Sequence, residues 1–98
     1  MTRIRDVVID SRHPASLARF WAAVLEVEAS SRGTPRLFFQ LVPESKLVKN
    51  RVHLDLACAD VAAEVERLAG LGARVLAEQE GWVTMADPEG NEFDVTPD

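Results

Sequence analysis

A single cysteine in 98 residues excludes an internal disulfide, so packing alone must hold the chain together. Cys58 falls in a strand-to-helix passage, where it reads as a small buried thiol rather than a reactive one, and a reducing, cytoplasmic setting follows. No apolar run approaches the roughly 20 residues needed to span a bilayer. The segment from Met1 to Asp6 lacks the apolar region of a signal peptide, so a soluble, unprocessed chain without a membrane partner is expected. Basic charge is also scarce, with a net charge of −5 and a pI near 5.0. A nucleic-acid backbone or an anionic membrane surface needs a basic face, and neither is an expected partner. What the chain does have is 47% hydrophobic residues, enough for one packed core in a single domain spanning residues 1–98.

The apolar pattern changes period along the chain. Ile4 to Asp10 alternates, with Val7 and Ile9 on one face and Asp6, Val8 and Asp10 on the other, which predicts a strand half covered by a helix. Leu17, Phe20, Trp21, Val24 and Leu25 then recur at helical spacing after Pro14, a residue suited to the first helical position. Phe20 and Trp21 read as packing residues, and His13 as a helix-start residue with a capping or solvent role. Val27 to Ser31 is a short candidate strand, and Gly33-Thr34-Pro35 a turn that would pair it as a hairpin with a strand at Leu37 to Val42. The polar stretch 44–51 reads as a linker. Beyond it, Val52, Leu54 and Leu56 alternate with His53 and Asp55. Asp60 is a natural N-cap for a helix with Val61, Val65, Leu68 and Leu71 inward and Gly72 at its end. Arg74 to Glu78 and Trp82 to Ala86 predict a hairpin, and Asp87-Pro88-Glu89-Gly90-Asn91 a turn into a final strand.

These elements repeat. Asp6-Val7-Val8-Ile9-Asp10 sets against His53-Leu54-Asp55-Leu56-Ala57, and the closing Phe39-Gln40-Leu41-Val42-Pro43 sets against Phe93-Asp94-Val95-Thr96-Pro97. The fold class expected is therefore α+β. Two βαβββ-type modules, at 1–43 and 52–98 and with the first shortened by about one strand, would curl into a half-closed barrel-like sheet with helices outside. The matched polar positions Asp6, Gln40, His53 and Asp94 are nominated to line one cleft. Asp55, Trp82 and Glu92 join them as ligand-binding candidates, because alternation puts them on the same face. His53 and Asp94 are the candidate catalytic pair. Two of the candidates have a plainer reading: His53 as a hydrogen-bonded wall residue, Glu92 as a solvated carboxylate near the turn.

With the duplication, Leu17 to Leu25 with its Phe20-Trp21 pair, Lys49-Asn50-Arg51-Val52-His53-Leu54-Asp55-Leu56 and Asp87-Pro88-Glu89-Gly90-Asn91-Glu92-Phe93, the chain resembles the vicinal oxygen chelate superfamily. More narrowly it is similar to the small glyoxalase-like domains found largely in bacteria. The resemblance implies metal ligands on the first and last strand of each module, hence Asp6, Gln40, His53 and Asp94, although the family's metal enzymes usually carry His and Glu there. It implies a divalent metal ion as the cofactor to test, a small-molecule ligand and a homodimer. Three functions follow from it: an enzyme of lyase, isomerase or dioxygenase type with an incomplete ligand set, a non-catalytic protein that sequesters its ligand, or a structural dimerisation module. Membership of a superfamily with many chemistries fixes the fold better than the reaction.

Overall fold

Alternation decides the first strand: β1 (Asp6–Ser11) turns Val7, Ile9 and Ser11 inward and leaves Val8 and Asp10 exposed. Pro14 opens α1 (Pro14–Leu25), whose buried stripe is Leu17, Phe20, Trp21 and Val24. The rings of Phe20 and Trp21 meet edge to face, with centroids 5.3 Å apart and planes at 84°. His13 occupies the N-cap position without a side-chain cap hydrogen bond; its backbone N–H donates to Ser11 Oγ at 3.0 Å. The chain returns as β2 (Arg36–Leu41), parallel to β1, and α1 packs on both strands. The computed structural model describes residues 1–2, 4–26 and 35–98. The strand expected at Val27 to Ser31, its hairpin and the Gly33-Thr34 part of the turn lie outside the described residues.

A second unit, Lys46–Asp98, follows the first, Met1–Ser45. It runs β3 (Leu54–Cys58), α2 (Val61–Leu71), β4 (Arg74–Glu78), β5 (Val83–Ala86) and β6 (Glu92–Pro97). Asp60 caps α2 by accepting from the Ala63 N–H at 3.1 Å. Gly72, at φ 116°, ends the helix. Its N–H donates to Ala69 O and that of Ala73 to Leu68 O, both at 3.1 Å. β4 and β5 form the expected antiparallel hairpin, with a register shift between Val75 and Ala77. The sheet order is β3-β6-β5-β4, in which β6 is parallel to β3 and antiparallel to β5. One face of β5 and β6 supplies Met85, Phe93 and Val95, each no more than 1% exposed, and α2 packs against β6 and β4.

The turn before β6 is held by one carboxylate. Asp87 Oδ1 accepts from the backbone N–H of Glu89 and of Asn91, both at 2.9 Å, while Asn91 Nδ2 reaches Asp87 Oδ2 at 2.9 Å. Gly90 takes φ 89° within it, a conformation that suits glycine. The fold is thus mixed α+β, with two helices and two sheets among the described residues. No hydrogen-bonded strand pair among the described residues links the two sheets into a barrel. Two details differ from expectation. β3 begins at Leu54 rather than Val52. The stretch read as a linker belongs to the second unit from Lys46 onward, because Lys46 and Asn50 both bind Glu92.

Candidate functional site

Strand register gathers three of the candidate residues. On β3 and β6, Leu54 pairs with Phe93 and Asp55 with Asp94, so the core side chain Phe93 alternates with a carboxylate on the opposite face. Two carboxylates then stand side by side on neighbouring strands, an arrangement that costs stability unless positive charge offsets it. His53, just ahead of β3, supplies the nearest candidate. Its Nε2 lies 3.2 Å from Asp55 Oδ1 and 3.5 Å from Asp94 Oδ2. The ligand atoms of His53, Asp55 and Asp94 all fall within 4.8 Å of one another. His53 and Asp55 are exposed and Asp94 is half-buried, which keeps the group accessible. On the other side of Asp94, Thr84 Oγ1 donates to its Oδ1 at 2.6 Å.

Glu92 shares the face of Asp94 and is committed elsewhere. Lys46 Nζ donates to its Oε1 at 2.8 Å and the Asn50 N–H to its Oε2 at 2.9 Å. Burial pushes its pKa up, but the bonds from Lys46, from Asn50 and from its own backbone N–H outweigh that effect and hold it at about 2. It is a fixed anion that anchors the segment leading to His53. Trp82 precedes β5 and is 41% exposed, and its carbonyl closes the hairpin by accepting from the Gln79 N–H at 2.9 Å.

In the first unit the candidates have other partners. Asp6 accepts from Arg36 Nε at Oδ1 and from Arg5 Nε at Oδ2, both at 2.9 Å. The Arg36 bond, opposed by desolvation and aided by Arg5, holds the Asp6 carboxyl below the usual carboxylate range. In register Asp6 stands beside Arg36, and the strand neighbour of Gln40 is Asp10. If Gln40 matches Asp94 in the repeat, then Asp10 matches Asp55, and the pairing of Asp6 with His53 is displaced by two residues. A slip of two preserves inward and outward alternation, so both alignments satisfy the same hydrophobic pattern. Sequence reasoning also missed Thr84, Lys46 and Asn50. Thr84 is identifiable only once β5 is laid against β6, and Lys46 looked like one more polar linker residue.

Cys58 donates to Thr96 O at 3.6 Å. Desolvation, and then the charges of Glu64 and Asp98, push its thiol pKa up, away from the reactive thiolate. No helix among the described residues is long and apolar enough to cross a membrane.

Structural comparison places this arrangement among known folds. A glyoxalase/bleomycin resistance protein/dioxygenase family enzyme from Burkholderia phytofirmans superposes with a TM-score of 0.76 at 16% identity, covering 98% of each chain. A genomically encoded fosfomycin resistance protein from Listeria monocytogenes gives 0.76 at 10% identity, over 100% of this chain and 94% of the other. An antibiotic-binding protein from Streptomyces gives 0.68 at 14% identity, over 99% and 96%. At such identities the likeness is one of fold. No curated protein matches by sequence. The profile of the glyoxalase-like domain matches residues 6–96, and with β1 through β5 and all of β6 but its last residue inside that span the chain belongs to the glyoxalase-like domain family, within the vicinal oxygen chelate superfamily.

Proposed function

We propose that this domain binds a small organic molecule on the face of the second sheet opposite α2, with His53, Asp55 and Asp94 holding a divalent cation at its centre. One observation carries the reading: an imidazole and two carboxylates converge within 4.8 Å although the carboxylates repel each other. One nitrogen and two anionic oxygens suit Mn²⁺, Fe²⁺ or Mg²⁺. This set replaces the expected Asp6, Gln40, His53 and Asp94, since both oxygens of Asp6 accept from guanidinium groups. When bound, such a cation polarises adjacent substrate oxygens, which favours enolate formation or ring opening. His53 orients its Nε2 toward both carboxylates, Glu92 fixes the approach to His53 through Lys46 and Asn50, and Trp82 offers an exposed ring to an apolar ligand group. The reaction class is that of a lyase, isomerase or dioxygenase.

Calorimetric and thermal-shift titration with Mn²⁺, Fe²⁺, Ni²⁺ and Zn²⁺ tests the reading. One ion per chain should stabilise the protein, and His53→Ala and Asp94→Asn should each weaken binding at least tenfold. Absence of stoichiometric uptake, with the same melting behaviour in His53→Ala, would falsify it.

A second reading is favoured by the neutralised first unit. With Asp6 paired to Arg5 and Arg36 and Gln40 uncharged, that half offers little for proton transfer, and the domain would capture its ligand without turnover. One structural neighbour is by name an antibiotic-binding protein. A ligand that shifts the melting temperature and is recovered unchanged supports sequestration, and consumption of that ligand rejects it.

A further inference from the structure

Thr84 has no place in the ligand sets considered above, yet its position relative to Asp94 is closely determined. β5 and β6 run antiparallel with Thr84 opposite Asp94 and Met85 opposite Phe93. Met85 and Phe93 are buried at 0% and 1% exposure, so sliding this pairing by one residue would expose both, and the register is pinned by the core. Threonine is stiff about its first side-chain torsion, because its branched carbon restricts rotation. Its hydroxyl meets Asp94 Oδ1 at 2.6 Å, the length of a charge-assisted O–H···O⁻ bond. The other carboxylate oxygen, Oδ2, is the one turned toward His53 Nε2, at 3.5 Å. Asp94 therefore sits between two neighbours, a hydroxyl on β5 and an imidazole at the start of β3, and each addresses a different oxygen.

We infer that Thr84 is a positioning residue that occupies one oxygen of Asp94 and leaves a single oxygen for the cation, thereby setting which cations the site accepts. The inference rests on the reading of His53, Asp55 and Asp94 as a cation site. A carboxylate with one oxygen engaged in a short hydrogen bond is a poor two-oxygen ligand. Large Ca²⁺ gathers six to eight oxygens and often takes carboxylates through both, whereas smaller divalent ions are satisfied by one. Thr84 thus disfavours Ca²⁺ relative to Mn²⁺. It also resists rotation of the Asp94 carboxylate toward Asp55, with which Asp94 is in lateral register.

The test compares Thr84→Val, which keeps the branched shape and removes the hydroxyl, with Thr84→Ser, which keeps the hydroxyl. Three-bond scalar couplings in cation-free protein report the first side-chain torsion of Asp94. Wild type and Thr84→Ser should show one rotamer and Thr84→Val an average. Calorimetric titration with Mn²⁺ and with Ca²⁺ gives the second readout. Thr84→Val should bind Mn²⁺ roughly tenfold more weakly and lose less affinity for Ca²⁺, so that the preference between the two narrows, while Thr84→Ser restores it. Unchanged couplings and an unchanged Mn²⁺ to Ca²⁺ ratio in Thr84→Val overturn the assignment. Should wild type take up neither ion, selection of cations by Thr84 is overturned together with the cation reading. The couplings then still decide whether the hydroxyl holds Asp94 in place.

Discussion

The two units share a strand-helix-strand opening but distribute burial differently. In the first, the helix supplies the buried apolar side chains Leu17, Phe20, Trp21 and Val24, and neither β1 nor β2 contributes one. In the second, α2 contributes Leu68 and the strands contribute Met85, Ala86, Phe93 and Val95. Sheet width explains the difference. β1 and β2 have only each other as hydrogen-bonded neighbours among the described residues, whereas β6 lies between β3 and β5. An interior strand has partners on both sides, so side chains on either face are fixed by neighbouring strands. The consequence for chemistry is direct. Asp94 projects from an interior strand whose other face is core, and His53, Asp55 and Thr84 converge on it from both sides. Asp6 projects from β1, whose one hydrogen-bonded neighbour among the described residues is β2, and it is neutralised by arginines. A binding group held by packed elements keeps its geometry better than one at an edge.

The largest expected effect tests that contrast in stability. Phe93→Ala removes a ring that is 1% exposed and should cost about 3–5 kcal/mol, from lost transfer energy and the cavity left behind. Phe38→Ala, at a β2 residue that is 54% exposed, should fall within about 0.5 kcal/mol of wild type. Urea denaturation of both variants reads the difference. Comparable losses would mean that the face of β2 bearing Phe38 is as tightly packed as β6.

Much of this architecture was legible in the sequence, because its signals are local. The helical stripe from Leu17 to Val24, the Asp60 cap, Gly72 at the helix end and the Asp87 to Asn91 turn each depend on residues within a few positions of one another. The candidate site was legible only in part. His53, Asp55 and Asp94 are all nominated by the sequence, yet it sets Asp6 against His53, whereas with Gln40 set against Asp94 the register sets Asp10 against Asp55. Hydrophobic alternation has period two and cannot distinguish registers that differ by two. Lys46 and Glu92 are far apart along the chain, and nothing near Lys46 announces its partner. Thr84 was an ordinary strand residue until strand pairing put its hydroxyl against Asp94.

The Lys46 and Glu92 pair gives an intermediate effect with a defined pH dependence. The carboxyl is held at about 2 against a usual value of 4.5. Its contribution is therefore fully present above about pH 4.5 and is lost as pH falls toward 2. Discounted for solvent screening, the pair is worth about 1 kcal/mol. Lys46→Ala should be less stable than wild type by that amount at pH 7, and the gap should close in acid. Denaturation midpoints at pH 7, 4 and 2.5 follow it; a gap independent of pH would assign the loss to packing of the lysine stem instead.

The smallest effect separates the two units most sharply, because it asks what two matched positions cost. Asp55 stands beside Asp94, another carboxylate, while Asp10 stands beside Gln40, a neutral amide. Without a cation, Asp55→Asn should relieve the lateral repulsion and stabilise the protein by roughly 0.2–1 kcal/mol, while Asp10→Asn has no such repulsion to relieve. Saturating Mn²⁺ should reverse the order, since wild type gains binding energy that Asp55→Asn has lost. A site that weakens the empty fold and strengthens the loaded one is built for its ligand. If Asp55→Asn and Asp10→Asn change stability equally, with and without Mn²⁺, the carboxylate pair is surface charge and the second unit loses its claim to the chemistry.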